Sequence, residues 1–342
     1  MITMMNKNFN PADLLTASET LRANDRWIIF THRKADGDAA GSASALFEAG
    51  VNAGKIVSWF SPDEKLPETY KYLAHFDDFI TRENFSFVDD GTLYVFLDCA
   101  TEIRSVSGLE SGGKNINTLN IDHHEDNTNY ARVNCVDGLA SSTCEMLYRV
   151  FTAGNWDITK DMAESLYTGI FTDTGGFSFS NTSAMTHETA AKLFGLGVEP
   201  AEMSDRIRQN KNPEDFQVWA RVLSRVKVFG PENIFAVSMI YADDFSEAGA
   251  DMTGTEGLSQ MFMTIRGVKF AAVATEYPDG VIRLSIRSRD GSPFGAGEFA
   301  RMYSGGGHEK AAGGIFPYPA EKVLSELEAA ILRKYHECNR PH

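Results

Sequence analysis

Carboxylates and imidazoles able to hold metal ions recur at four places within residues 32–173 of this sequence. His32, Asp36 and Asp38 are spaced as His-x3-Asp-x-Asp. Asp98 follows an apolar run, Asp122, His123 and His124 are consecutive, and Asp173 precedes Thr-Gly-Gly. Each has an ordinary explanation by itself: Asp38 can cap the helix that follows, Asp122 can simply follow a strand, and a single histidine is more often a satisfied polar residue than a ligand. Together they make a donor set of carboxylate and imidazole without thiolate, which suits manganese, magnesium or similar ions rather than structural zinc. Several carboxylates able to bridge suggest a pair of ions, an arrangement that clamps a phosphoryl group and activates the attacking water.

A second concentration of chemistry lies near the other end. Gly305, Gly306 and Gly307 precede His308 in the run GGGHEKAAGG. Three glycines let backbone amides approach an anion closely, although glycines alone would read as a surface loop. The segment at 281–289 (VIRLSIRSR) adds to the case. Period-two alternation puts Ile282, Leu284 and Ile286 on one face and Arg283, Ser285, Arg287 and Arg289 on the other. Such a row of arginines in so acidic a chain favours an anion site over an ordinary solvated face.

The elements that must position these residues follow a strand–helix alternation over the first 200 residues. Apolar runs at 27–31 (WIIFT), 55–60, 93–97 (LYVFL) and 118–121 read as buried strands, and 39–49, 142–152 and 161–172 read as helices. This predicts an α/β fold with a mostly parallel, doubly wound sheet carrying helices on both faces. Ligands of such sheets gather beyond the carboxyl ends of the strands, where His32, Asp98 and Asp122 fall. Residues 200–230 read as a connecting helix, with Phe216, Trp219, Val222, Leu223 and Val226 at helical spacing. Strands at 234–240, 268–275 and 281–289, then a helix at 320–338, predict a smaller α/β domain with a mixed sheet.

The whole composition limits the partners. Acids outnumber bases 47 to 32, a net charge of −15, and no Lys/Arg block is present. A chain that tracks long nucleic acid needs a basic stripe, so small anions fit better. No apolar run is long enough for a membrane span. Residues 1–10 lack the apolar centre of a secretion signal. The cysteines, Cys99, Cys135, Cys144 and Cys338, have no metal-like spacing, so a reducing, cytoplasmic setting is expected.

The four acidic motifs, in this order and spacing, resemble those of the DHH phosphoesterase superfamily. The GGGH run, the Ser285–Ser288 segment SIRS and Thr255-Glu256-Gly257-Leu258 resemble its DHHA1 companion domain. The resemblance implies a DHH domain over 1–199, a helical linker over 200–230 and a DHHA1 domain over 231–342. It puts His32, Asp36 and Asp98 on one divalent ion and Asp38, Asp98, His123 and Asp173 on the other, with Mn2+ first and Mg2+ or Co2+ as alternatives. It gives His124 the scissile phosphate and leaving oxygen, and Asp122 the task of orienting its neighbours. Ser285, Arg287, Arg289, Gly305, Gly306, Gly307 and His308 are assigned to substrate. The proline usual before Asp36 is Ala35 here, which alters loop stiffness and removes no ligand. The GGGH run argues against type II pyrophosphatases, and the compact two-domain length argues against RecJ-type exonucleases. What remains resembles the nanoRNase/pAp phosphatase group, with short oligoribonucleotides and phosphorylated mononucleotides as partners and a homodimer as an allowed assembly. Alternatives are a phosphodiesterase of a linear or cyclic signalling dinucleotide and, from another class, a nucleotide-binding regulator without catalysis.

Overall fold

Strand β1 (Arg26–Phe30) shows why the first domain folds as it does. Trp27 and Ile29 are buried on one face and Ile28 and Phe30 on the other, so the strand is apolar throughout, as a central parallel strand must be. The computed structural model describes residues 9–81, 85, 91–102, 116–208, 211–255, 257–307 and 309–339. They form two compact units, Met1–Asn210 and Lys211–His342. No helix among the described residues is long and apolar enough to cross a membrane.

In the first unit β1 is joined by β2 (Ile56–Phe60), β3 (Phe79–Ile80), β4 (Leu93–Leu97), β5 (Asn117–Asp122) and β6 (Val133–Val136). All pair in parallel, in the order β3-β2-β1-β4-β5-β6. Helices α1 (Ala12–Ala23), α2 (Gly37–Asn52), α3 (Thr143–Ala153) and α4 (Lys160–Asp173) pack on the face bearing Trp27, Ile29, Val95 and Ile121. Helices α5 (Ala184–Gly195) and α6 (Pro200–Arg208) extend that layer. The opposite face, Ile28, Phe30, Phe60, Tyr94 and Phe96, is covered by Ile80, Phe85, Ile116 and Tyr130. A helix on each face was expected; among the described residues the second face carries this aromatic cluster instead.

Helix α2 is built largely from Gly, Ala and Ser, which lets α4 approach its backbone. A Cβ on Gly37 would collide with Thr172, and one on Gly41 with the Ser165 carbonyl. Ser44 and Ser165 then bond hydroxyl to hydroxyl at 2.9 Å.

The second unit contains α7 (Pro213–Ser224), β7 (Lys227–Phe229), β8 (Phe235–Ile240), α8 (Ala242–Ala248), α9 (Leu258–Phe262), β9 (Phe270–Glu276) and β10 (Ile282–Ser288). They are followed by α10 (Ala296–Arg301), β11 (Gly306–Gly307), β12 (Ala311–Phe316) and α11 (Val323–Cys338). The sheet order is β11-β12-β10-β9-β8-β7, and it is mixed: β8 and β9 pair in parallel, and the other neighbouring strands described pair antiparallel. Residues 200–230 do not form the single connecting helix expected of them. Met203 and Ile207 of α6 are buried in the first unit's core, and Val218 and Val222 of α7 in the second's. Pro213 is the reason. It has no amide hydrogen and disfavours helical geometry at Asn212, so a helix must break there. Asp215 accepts the Asn212 amide at 2.8 Å and starts the new one.

Gly169 offers a direct test of the α2–α4 contact, because a Cβ there would lie 2.6 Å from Asp38 Oδ1 and collide with Cys144. Gly169→Ala is expected to lower stability by about 1–3 kcal/mol through overpacking. Urea unfolding midpoints check this; an unchanged midpoint would show that the two helices separate freely.

Candidate metal centre

The strand order changes direction between β1 and β4, which are neighbours whose chains continue to opposite sides. The crevice at such a switch, beyond the carboxyl ends, is where doubly wound sheets bind ligands. His32 lies just past β1, Asp98 directly after β4, and Asp122 is the last residue of β5. Asp98 has a left-handed backbone, φ 59°, which turns the chain sharply at the strand end. Asp36 caps α2, its Oδ1 accepting the Asp38 and Ala39 amides at 3.1 Å each. Capping thus falls to Asp36, and Asp38 turns inward. Asp173 arrives from the far end of α4.

These side chains converge. His32 Nε2 is 3.2 Å from Asp98 Oδ2 and 3.8 Å from Asp36 Oδ1. His123 Nε2 is 3.5 Å from Asp98 Oδ1, 3.6 Å from Asp173 Oδ2 and 3.8 Å from Asp38 Oδ2. Donor atoms of His32, Asp36 and Asp98 all lie within 4.8 Å of one another, as do those of Asp38, His123 and Asp173. Asp98 turns one oxygen to each histidine, the geometry of a bridging carboxylate. His124 Nδ1 donates to Asp122 Oδ1 at 2.8 Å and lies 3.6 Å from Asp98 Oδ1.

The residues fit divalent ions. His32 Nδ1 is 2.9 Å from the Arg33 carbonyl and His123 Nδ1 3.4 Å from that of Ala140. A carbonyl only accepts, so each Nδ1 carries a proton and each Nε2 is the atom left to face an ion. Asp38 is wholly buried, yet both its oxygens accept amides from the start of α3, Thr143 at 2.7 Å and Cys144 at 2.9 Å. Thr143 Oγ1 donates to Asp98 Oδ1 at 3.2 Å. Asn127 donates to Asp122 Oδ2 at 2.5 Å, and Asn181 to the Asp173 carbonyl at 3.1 Å. Sequence reasoning missed Thr143, Asn127 and Asn181, which do not end strands. The capping spelling Ser142-Thr143-Cys144-Glu145 was the one available signal for the first.

Crowding of like charges marks the site in its metal-free form. Burial, reinforced by the Asp98 charge, holds Asp38 well above the usual carboxylate range. Burial raises Asp173 to about 7, with His123 opposing and Asp36 adding to the rise. Burial disfavours charge on Asp98 too, but bonds from His123 and His32 overcome it and keep Asp98 well below its usual value. Burial also opposes the imidazolium of His32, yet Asp36 and Asp98 push it up to about 11. His123 is raised by Asp98 and Asp173 against the same opposition, and His124 by Asp122.

The second unit places the remaining residues. Along β10, Ile282, Leu284, Ile286 and Ser288 are buried and Arg283, Ser285 and Arg287 half-buried. Arg283 lies 4.0 Å over the Tyr277 ring and pairs with Asp279 at 3.8 Å. Arg289 donates to the Met263 carbonyl just past α9, and Ser285 shares a 2.9 Å bond with Ser259. Arg287 differs. It bonds the Ile286 carbonyl at 2.9 Å, burial alone pulls its pKa down, and no carboxylate among the described residues pairs with it. Gly306 and Gly307 form β11 against Gly313 and Ala312. A Cβ on Gly305 or Gly307 would strike the β12 backbone, whereas Gly306 is exposed with no atom within 4 Å of such a Cβ. His308 and Glu256 lie outside the described residues.

The family model for the DHH family, N-terminal domain, matches residues 26–170, and that for the DHHA1 domain matches residues 233–337. The bifunctional oligoribonuclease and PAP phosphatase NrnA of Thermus thermophilus is 31% identical over 322 residues, 92% of this chain and 94% of the relative. This chain belongs to the DHH–DHHA1 family. The like-named protein of Bacillus subtilis is 27% identical over 93% of this chain and 98% of its own. In fold, this DHH–DHHA1 chain superposes with a TM-score of 0.88 on an exopolyphosphatase-related protein from Bacteroides fragilis. That match covers 98% of this chain and all of the other, at 22% identity.

The protonation pattern fixes a pH dependence. Asp173 and His32, at about 7 and about 11, hold protons near neutrality that a divalent ion bound there would have to displace, so ion binding is expected to release protons and to strengthen as pH rises. The metal-free fold binds the Asp173 proton more tightly than the unfolded chain does. Its stabilising contribution is full below the unfolded carboxylate pKa and is lost as pH rises through about 7. The increase in melting temperature on adding Mn2+ is therefore expected to be larger at about pH 8 than at about pH 6. A shift independent of pH would mean that these protons are not displaced.

Proposed function

We propose that this chain is a phosphoric-ester hydrolase that cleaves short oligoribonucleotides and removes a phosphate from 3′-phosphoadenosine 5′-phosphate. The observation that carries this reading is the pair of donor sets, with Asp98 turning one oxygen to the histidine of each, in a chain similar along 92% of its length to an oligoribonuclease and PAP phosphatase. The sets are proposed to hold two divalent ions, His32, Asp36 and Asp98 on one side, Asp38, Asp98, His123 and Asp173 on the other. Mn2+ is the proposed ion, because carboxylate and imidazole donors without thiolate suit it. When bound, such a pair polarises a phosphoryl oxygen and makes the attacking water more acidic. The four free cysteines agree with the cytoplasmic setting proposed for the reaction.

The chain's own groups supply the rest. Asp122 fixes the ring of His124 through Nδ1, so Nε2 is the atom assigned to protonate the leaving oxygen. Asp122 is itself held by Asn127. Arg287, half-buried and without a carboxylate partner among the described residues, is assigned to a non-scissile phosphate. Ser285, Arg289, Gly305, Gly306, Gly307 and His308 are proposed to complete that anchor. Small phosphorylated substrates suit an anchor with so few cations in a chain of net charge −15, whose sequence has no Lys/Arg block to track a long strand.

Asp98→Ala is expected to abolish Mn2+-dependent turnover of a dinucleotide while leaving the circular-dichroism spectrum unchanged; near-normal activity at saturating Mn2+ would refute the shared-carboxylate reading. In the same assay a dinucleotide and 3′-phosphoadenosine 5′-phosphate should turn over far faster than an RNA of about twenty nucleotides. Equal rates would instead indicate a general exonuclease, and preference for a cyclic dinucleotide a signalling phosphodiesterase.

Arg287→Ala separates anchoring from chemistry. Loss of one charge-assisted bond to phosphate costs about 1.5–3 kcal/mol, roughly one to two powers of ten in kcat/KM on nucleotides. Slow hydrolysis of an aryl phosphate that lacks a second phosphate should be untouched. Equal losses on both substrates would assign Arg287 to folding or catalysis.

A further inference from the structure

The donors that the metal centre draws from distant parts of the chain share one support, the segment at residues 140–145 that opens α3. Ala140 accepts the His123 Nδ1 proton at 3.4 Å. The Ser141 carbonyl accepts from Asn181 at 2.9 Å, and the same Asn181 amide reaches the Asp173 carbonyl at 3.1 Å. The Thr143 and Cys144 amides bond the two oxygens of Asp38, and the Thr143 hydroxyl bonds Asp98. Four proposed ligands, His123, Asp173, Asp38 and Asp98, are thus oriented from one short stretch that itself contributes no ligand.

What holds this stretch is Glu145. Its side chain is almost wholly buried, 1% exposed, and no cation among the described residues pairs with it. Its Oε2 accepts the Ser141 hydroxyl at 2.6 Å, the Ser141 amide at 3.4 Å and the Thr186 hydroxyl of α5 at 2.9 Å. A buried carboxylate without a counter-ion is costly, and helix capping does not demand one here. Ser142 Oγ already caps α3 by accepting the Glu145 amide at 3.0 Å. In the capping box that Ser142-Thr143-Cys144-Glu145 spells, the glutamate would return to the Ser142 amide. Here it reaches one residue further back, to Ser141, and across to α5. That is the bonding of a clamp on the turn before the helix.

We propose that Glu145 is a positioning residue for the metal centre, locking residues 140–145 in the one conformation that aims Asp38, Asp98, His123 and Asp173 at their ions. The inference rests on the two-ion reading above. Outer groups that orient ligands typically change metal affinity by about 10–100-fold when removed, whereas a residue that merely fills the core changes stability and leaves the affinity of the folded protein alone.

Mn2+ binding by calorimetry on folded protein, well below the melting temperature, tests it together with the melting temperature itself. Glu145→Ala should bind Mn2+ about 10–100-fold more weakly. Glu145→Gln, whose amide oxygen still accepts from Ser141 and Thr186, should recover most of that affinity. Thr143→Val, close in shape, should weaken binding in the same direction by losing the bond to Asp98. A folded Glu145→Ala variant with wild-type affinity overturns the proposal, and so does a Gln variant as weak as the Ala variant. Where the Ala variant fails to fold, full affinity in Thr143→Val is the overturning result. Wild-type protein that takes up no Mn2+ overturns the two-ion reading itself, an outcome distinct from wild type and Glu145→Ala binding equally well.

Discussion

The centre depends first on how closely α2 and α4 approach. A helix made of ordinary side chains would keep its neighbour about 8–10 Å away. Helix α2 presents Gly37, Gly41 and Ser44, and α4 answers with Gly169 and Ser165, so that backbone meets backbone. The pairing of Gly37 with Thr172 and of Gly41 with Ser165 makes the two helices antiparallel. The start of α2 therefore meets the end of α4. That is what brings Asp36 and Asp38, which follow β1, to Asp173, which lies more than a hundred residues further along. Bulkier residues at these positions would leave every donor present and the sets apart.

Such closeness has an electrostatic consequence. Asp38, Asp98 and Asp173 gather where burial disfavours charge, and the protein without ions responds by keeping protons. Asp38 and Asp173 are raised, and His32 and His123 stay cationic beside them. The paired histidines act as internal cations, each with Nε2 turned to the carboxylates and Nδ1 spent on a backbone carbonyl. Their orientation is thus already that of ligands. On the proposed two-ion reading, an arriving ion would replace protons without rebuilding the site.

Much of this was legible because a parallel sheet exposes its chemistry at strand ends. WIIFT, LYVFL and TLNI each run directly into a polar residue, and β1, β4 and β5 end within one residue of those runs. The reading weakened wherever a residue acts from elsewhere. Asp38 was a plausible cap, but Asp36, two residues earlier, takes the helix amides and leaves Asp38 to turn inward. Thr143, Asn127 and Asn181 work through hydrogen bonds across the fold, which no local period reports. Strands β3, β7 and β11 have two or three residues each, too few for alternation to show. At 200–230 helical spacing continued across Asn212-Pro213, and the breaking power of proline outweighed it.

The basic strand carries the last lesson, because alternation alone made its arginines equivalent and their surroundings do not. Arg283 is satisfied by Tyr277 and Asp279, and Arg289 by a carbonyl past α9. Both are already held in the fold, so each gains less from an incoming anion than a buried guanidinium without compensation. Arg287 has burial without compensation: a carbonyl bond, a lowered pKa and no carboxylate among the described residues. A guanidinium in that condition gains most from an incoming anion, since the ligand supplies the missing charge and accepts hydrogen bonds in the planar geometry that arginine presents. On the function proposed here, affinity for a phosphate concentrates at one side chain while the rest of the chain stays acidic. That arrangement favours a substrate with few phosphates over a strand that presents many.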